Sequence, residues 1–385
     1  VPEGHTVHRL AATLRAGFAG TRVRLSSPQG RFATEAAALD GRVLLGSEAA
    51  GKHLLLAFAP ATDVDAGDPV VRFVHVHLGL YGSWTFAGEE GFAPSLAIGA
   101  PRVRVGEQER AVAGSPSGGV GATPGAAVEV ERPDWRRILP TPTTRLRILG
   151  ARGLADLTGP TACEVLDQEG RLRVLAKLGP DPLRADADPR RFVDRVRRSR
   201  TGIGVQLMNQ QVIAGVGNIY RAEALFRARL DPFVPGVRLT AGMLEGIWED
   251  LVPLMEYGLR TGRIVTTEPE HRDIEARIME RRRATRQNGD EDAGVVPREK
   301  SFYVYHRQTL PCRLCGTEVK ERDLAGRTVF WCPRCQTERS RRTSWTRDHP
   351  ASAWAVAQPV VADRASSDPV GADTVPTPPS SGDSR

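Results

Sequence analysis

The amino-acid sequence predicts an α+β multidomain protein: an N-terminal antiparallel β-sandwich or barrel led by one helix, a helical second domain, and a small C-terminal hairpin stapled by cysteines. Three observations carry this expectation. Between residues 42 and 148, short β-rich runs alternate with Gly, Pro and Asp. Between residues 189 and 259 the apolar residues recur at helical spacing instead. Cys312, Cys315, Cys332 and Cys335 then form C-x2-C-x16-C-x2-C, the spacing of a four-thiolate metal site.

Taken in chain order, Val7, Leu10, Ala11, Leu14 and Phe18 predict a helix over residues 2–18, because that spacing presents one apolar face. Strands are expected at 42–45, 53–58, 70–76, 81–86 and 144–148, which makes residues 1–150 the first domain. A Gly-, Ser- and Pro-rich interruption at about 88–135 cannot order itself around a core and reads as a flexible insertion. Residues 151–270 form the helical domain, with helical spacing at 160–178, 189–198, 204–211, 219–228 and 241–259. Residues 271–300 are a charged, Arg-rich linker, 301–342 hold the cysteine module, and 355–385 have too few apolar residues to fold.

The chain has 385 residues, enough for several cores, and 53 Lys and Arg against 46 Asp and Glu. The resulting +7 suits a polyanionic partner without identifying one. No run approaches the eighteen apolar residues of a membrane span and the start does not read as a secretory signal, so a soluble, intracellular protein is expected. In that compartment paired cysteines are metal ligands before they are disulfides.

Four thiolates surround one Zn²⁺ at about 2.3 Å and leave no open coordination position, so the metal's expected role is structural. Residues 319–331 read as two strands around Ala325 and Gly326, which sets Arg327 at or beside the turn. Alone, Arg327 is an ordinary surface charge. With Lys320, Arg322, Arg334, Arg339, Arg341 and Arg342 around it, the module reads as a phosphate-tracking element.

Two further segments carry chemistry. In 204–228 two apolar-periodic stretches meet at Ala214-Gly215-Val216-Gly217, where glycines allow a tight turn and Asn218 is a good N-cap. Free N–H groups at such a helix start hold phosphates, although many helical hairpins use the same residues with no ligand. At the chain start, Val1 stands in the initiator position, where a methionine would be removed ahead of Pro2. A terminal proline is a secondary amine, and α-amino groups titrate near neutrality, so Pro2 is a candidate nucleophile toward a sugar C1′. Glu3 is its candidate proton donor or shuttle, and equally a residue that complements the helix N-terminus. Lys52, in Gly51-Lys52-His53, opens a buried-looking strand and either faces a phosphate or is simply solvated. His5, His8 and His53 read as structural or solvent-facing.

Five segments in order, PEGHTVHRL, GKHLLL, HLGLYGSW, AGVGNIYRAEALF and the cysteine module with GRTVFWCPRCQ, resemble the Fpg/Nei family (formamidopyrimidine-DNA glycosylase/endonuclease VIII). The resemblance implies an N-terminal β-sandwich with a leading helix, a helix–two-turn–helix domain and a zinc-finger β-hairpin, acting on damaged double-stranded DNA with the lesion flipped out. It assigns Pro2 as nucleophile, Glu3 as catalytic acid, and Lys52, Asn218 and Arg327 as phosphate contacts. Leu80 matches the apolar wedge that fills the vacated stack.

The implied activity is bifunctional: a base-excision repair glycosylase, with abasic-site cleavage by β- and δ-elimination. The start of the chain is similar to the endonuclease VIII branch, which favours oxidised pyrimidines. Thr6 stands where many members carry a second acid. One structural Zn²⁺, a monomer and a cytoplasmic, nucleoid-associated protein complete the expectation. The alternatives are a non-catalytic binder of abasic or distorted DNA, and an unrelated enzyme whose zinc module binds protein.

Overall fold

In a computed structural model, the protein is described over residues 2–92, 97–99, 134–272 and 296–337. The centre of the expected insertion, most of the charged linker, residues 338–342 of the cysteine module and the tail lie outside the described residues.

The leading helix is α1 (Gly4–Phe18), which buries the expected Val7, Leu10, Ala11, Leu14 and Phe18. There follow β1 (Thr21–Arg22), β2 (Arg24–Ser26), α2 (Ala33–Leu39), β3 (Val43–Ala50), β4 (His53–Ala59), β5 (Arg72–His77), β6 (Ser83–Gly88), β7 (Ala97–Gly99), β8 (Thr144–Leu149), β9 (Gly153–Thr158) and β10 (Ala162–Leu166). Among the described residues the strands form two five-stranded antiparallel sheets, ordered β1-β3-β4-β5-β10 and β2-β8-β9-β6-β7. One core joins them: Leu54, Leu56, Val74 and Val76 from the first sheet meet Trp84, Phe86, Leu146 and Ile148 from the second, with α1 packed alongside. This is the β-sandwich. Each such apolar side chain contributes about 1.5–3 kcal/mol by leaving water.

Residues 153–166 differ from expectation. The spacing over 160–178 predicts a helix, yet β9 pairs with β6 and β8, and β10 pairs with β5, so the sheets extend to Leu166. The segment Ala162–Leu166 is so rich in apolar residues that it fits either period. Pairing with β5 decides it, turning Cys163 and Val165 onto the sandwich core. Helix begins only at α3 (Gln168–Ala176), where the Asp167 side chain accepts the N–H of Gly170 at 2.7 Å.

The helical part comprises α4 (Pro189–Arg197), α5 (Ile203–Gln206), α6 (Asn218–Arg227) and α7 (Ala241–Thr261). Asp188 caps α4, Thr240 caps α7, and Gly262, at φ 74°, ends α7 in the left-handed conformation that glycine adopts without strain. Val216, Tyr220, Leu225, Leu251 and Met255 lie in its core. The opposite side of α6 supplies Ala222 and Phe226 to a separate core with Tyr303, Val304, Val319 and Phe330. Helix α6 therefore ties the helical part to the cysteine module. There β11 (Lys320–Asp323) and β12 (Thr328–Trp331) pair around Ala325 and Gly326, both at positive φ, as a two-residue hairpin turn of the primed type requires. No helix among the described residues is long and apolar enough to cross a membrane.

Candidate active site

The chain start is built into the middle of the molecule. Pro2 is buried, and the Gly4 N–H donates to the Gly215 carbonyl at 2.8 Å. A Cβ on Gly4 would lie 2.7 Å from the Gly215 Cα, so the two backbones approach as closely as glycine permits. This contact brings Glu3, 1% exposed, to the start of α6. Its Oε1 accepts the Ile219 N–H at 2.8 Å, and its Oε2 accepts those of Gly217 at 3.0 Å and Tyr220 at 3.4 Å.

The expectation that Asn218 caps this helix is thereby corrected. Gly217 holds the cap position with no side-chain bond of its own, and Asn218 is the first helical residue. Glu3, remote in sequence, satisfies the orphan N–H groups and places its carboxyl in the favourable field of the helix N-terminus. Those N–H groups are thus committed to Glu3. A phosphate at Asn218 would meet its side chain, not the helix end.

Lys52 sits in the β3–β4 turn beside Gly51, whose φ is 57°. Asp181, 2% exposed, accepts the Gly51 N–H at 2.7 Å and pairs with His8 Nε2 at 2.8 Å, binding the turn to α1. Burial raises the Glu3 pKa above the ordinary carboxylate value, against the Lys52 ammonium and the three backbone N–H groups. Burial likewise lowers the Lys52 amine, which Glu3 opposes and Arg327 reinforces. Desolvation therefore brings a carboxyl and an amine toward each other in acidity. His5 on α1, buried edge-on against the Tyr220 ring, is lowered by that burial to about 3 and stays neutral.

From the hairpin side, the Asn218 amide donates to the Thr328 carbonyl at 3.1 Å. Arg221, wholly buried, donates to the same carbonyl at 2.8 Å and to the Asn218 side-chain oxygen. Burial lowers Arg221 to about 10, and Glu3 partly restores it. These bonds fix the residue adjoining Arg327, which stays exposed. Glu223 anchors the rest of the module: its buried carboxylate accepts the N–H groups of Tyr303, Val304 and Tyr305, each at 2.8 Å, and the Thr266 hydroxyl.

The structure thus assembles Pro2, Glu3, Lys52, Asn218 and Arg327 from three parts of the chain. Leu80, 40% exposed in the turn between β5 and β6, takes part in none of these interactions. The ligand atoms of Cys312, Cys315, Cys332 and Cys335 all lie within 4.8 Å of one another. The Sγ separations of 3.8 Å for Cys312–Cys335 and 3.5 Å for Cys315–Cys332 match the ~3.8 Å edge of a tetrahedron with ~2.3 Å metal–sulfur bonds. Four soft thiolates at that spacing fit Zn²⁺.

This architecture has relatives. Residues 178–270 match the formamidopyrimidine-DNA glycosylase H2TH domain, and residues 310–337 match the zinc finger found in FPG and IleRS. "Endonuclease 8 1" of Mycobacterium tuberculosis is 41% identical over 342 residues, spanning 88% of this chain and 100% of the relative. The chain belongs to the Fpg/Nei family. A second Fpg/Nei relative, the formamidopyrimidine-DNA glycosylase of Nitratidesulfovibrio vulgaris, is 30% identical across 87% of this chain and 100% of its own. The fold matches that of a Lactococcus lactis Fpg solved with abasic-site DNA, with a TM-score of 0.57 at 17% identity over 87% of this chain and 100% of that one.

Sequence reasoning missed Arg221, Glu223 and Asp181, three buried charged residues that hold the Fpg/Nei elements together. The signal for two of them was present: in NIYRAEALF, a buried-looking apolar helix carries Arg221 and Glu223. Charged residues on such a helix are rarely buried unless paired.

Proposed function

We propose that this protein is a base-excision repair enzyme, a DNA glycosylase with abasic-site lyase activity, working through a free secondary amine on Pro2. The observation that supports the reading is the burial of Glu3 against α6 beside Lys52, which holds Pro2 where the β3–β4 turn, α6 and the cysteine-module hairpin meet.

In this reading the Pro2 nitrogen attacks C1′ of a flipped nucleotide while Glu3 donates a proton, and the damaged base leaves as the C1′–N bond breaks. The Pro2 nitrogen then gives up its proton and the C1′–O4′ bond breaks as O4′ is protonated to a hydroxyl, so the aminal opens to an iminium that acidifies the C2′ hydrogen. Its loss expels the 3′-phosphate, and a second elimination expels the 5′-phosphate. Lys52, Asn218 and Arg327 hold phosphates around the lesion, and Leu80 fills the vacated stack. The four cysteines hold one structural Zn²⁺, which keeps the hairpin folded and leaves the reaction to the amine and carboxyl.

The resemblance of the chain start, PEGHTVHRL, to the endonuclease VIII branch supports oxidised pyrimidines as substrates. The partner is damaged double-stranded DNA, met by a monomer in the cytoplasm, on the nucleoid. A duplex panel carrying thymine glycol, dihydrouracil, 8-oxoguanine or a bare abasic site tests this: cleavage of the first two and the abasic site ahead of 8-oxoguanine is expected. Tight abasic-duplex binding without cleavage of any substrate would instead establish a DNA-structure binder.

A further inference from the structure

A chain of hydrogen bonds runs across the outer face of the first sheet and ends beside Lys52. Glu164 on β10 and His75 on β5 are register partners, as are His77 on β5 and His53 on β4. Glu164 Oε1 lies 2.9 Å from His75 Nδ1, and His75 Nε2 lies 2.8 Å from His53 Nδ1. The His53 ring stacks on His75 and tilts against His77, with centroids 5.1 Å apart in each case. His75 is 5% exposed, whereas the Glu164 side chain is 55% exposed. His53 Nε2 makes no hydrogen bond among the described residues.

Hydrogen-bond inventory fixes what this chain can do. A carboxylate only accepts, so His75 Nδ1 carries a hydrogen. When both rings are neutral, His75 Nε2 is then an acceptor, His53 Nδ1–H donates to it, and His53 Nε2 presents a lone pair. Adding one proton to either ring has the same result at the far end: His53 Nε2 becomes an N–H donor. A lone pair repels a phosphate oxygen, while an N–H shared with a cation binds it.

The charged and titratable groups facing the chain are Lys52 beside His53, His77 on β5 and Glu164 on β10. From α3, Arg171 lies over Phe73 and is engaged by Glu48. Burial and the neighbouring His75, His77 and Lys52 hold His53 down at about 4. The free protein therefore resists adding positive charge here, and an arriving phosphate relieves that resistance.

We propose that His53 is a further DNA-phosphate ligand beside Lys52, and that Glu164 and His75 form a relay which makes it a donor by taking up a proton as DNA binds. The inference rests on the reading of Lys52 as a phosphate contact. His75 and Glu164 are positioning residues in it, and His53 alone touches the DNA.

The test is calorimetric titration of the full chain with a duplex holding a non-cleavable abasic analogue, at pH 6.5 and fixed ionic strength, in buffers of different ionisation enthalpy. Wild type should take up on the order of half a proton per duplex bound. His75→Phe and the surface variant Glu164→Gln should each lose most of that uptake, and Glu164→Gln keeps the test valid if His75→Phe misfolds. His53→Ala should bind about 10-fold more weakly, as expected for one charge-assisted bond. His53→Gln, whose amide donates without a proton, should restore affinity without uptake. Equal uptake in wild type and both relay variants, or no uptake in wild type, overturns the relay while duplex binding stands. Duplex affinity unaffected by Lys52→Ala and Asn218→Ala overturns the parent reading, and the relay with it.

Discussion

The backbone N–H of Ile219 donates to the Glu3 carboxylate across 2.8 Å, so the first residues of the chain serve as the N-terminal cap of a helix more than two hundred positions later. The carboxyl we propose as proton donor is thereby held by the same bonds that complete the helix. Disturbing either end disturbs both.

Gly217→Ala tests that coupling sterically. A Cβ at this position would sit 2.4 Å from Glu3 Cδ, and Gly217 has an ordinary negative φ, so the only penalty is displacement of the carboxyl. Single-turnover base release should slow by about 100-fold, as for a ~1 Å misplacement of a reacting group, while the fold is retained. Base release at the wild-type rate would mean that Glu3 does not need this seat.

Glu3 also costs stability at neutral pH. Its folded pKa is raised above the unfolded value of 4.5, so its stabilising contribution is complete below that value and is lost as pH rises through the folded pKa. Glu3→Gln should therefore melt above wild type at pH 7.5. The gap should close as pH falls toward 4.5. A variant less stable than wild type at pH 7.5 would show that the three backbone bonds outweigh desolvation.

Arg221 separates holding the hairpin from holding DNA. It is wholly buried and reaches Asn218 and the Thr328 carbonyl, so Arg221→Met should weaken abasic-duplex binding about 10-fold by loosening both. The salt slope should stay unchanged, because no phosphate contact is lost directly. Arg327→Ala should reduce that slope by about 0.9, the share of one phosphate. Equal slope changes in the two variants would place Arg221 among the phosphate contacts.

Metal removal should act locally. The cysteine module shares its core with α6 through Ala222 and Phe226, whereas the sandwich core contains no residue of it. A strong chelator under denaturant-free conditions should release about one Zn²⁺ per chain and abolish duplex binding, while the backbone amides of the sandwich strands keep their protection from hydrogen exchange. Full binding by metal-free protein would show that a folded hairpin carrying Arg327 is not needed to hold DNA.

Local pattern accounts for what was legible. The leading helix, the strands at 53–58 and 144–148, the long helix at 241–259 and the four cysteines each declare themselves within a short window. The strands β9 and β10 do not, because a short apolar run fits helix and strand alike until a partner strand settles it. Asn218 shows the other limit. A residue with ideal capping chemistry was displaced from that role by Glu3, and instead bonds a carbonyl on β12. The relation between Glu3 and α6, like that between Arg221 and Thr328, joins residues far apart in sequence, and no window contains both.

The central claim is that Pro2 attacks the sugar with a free amine. Incubating the protein with abasic duplex and borohydride, then digesting and sequencing the trapped adduct by mass spectrometry, reads that step directly. The account predicts one reduced cross-link, on the nitrogen of a chain beginning at Pro2, and none with Pro2 still acylated. A cross-link mapped to Lys52, or equal trapping by chains retaining residue 1, would contradict it.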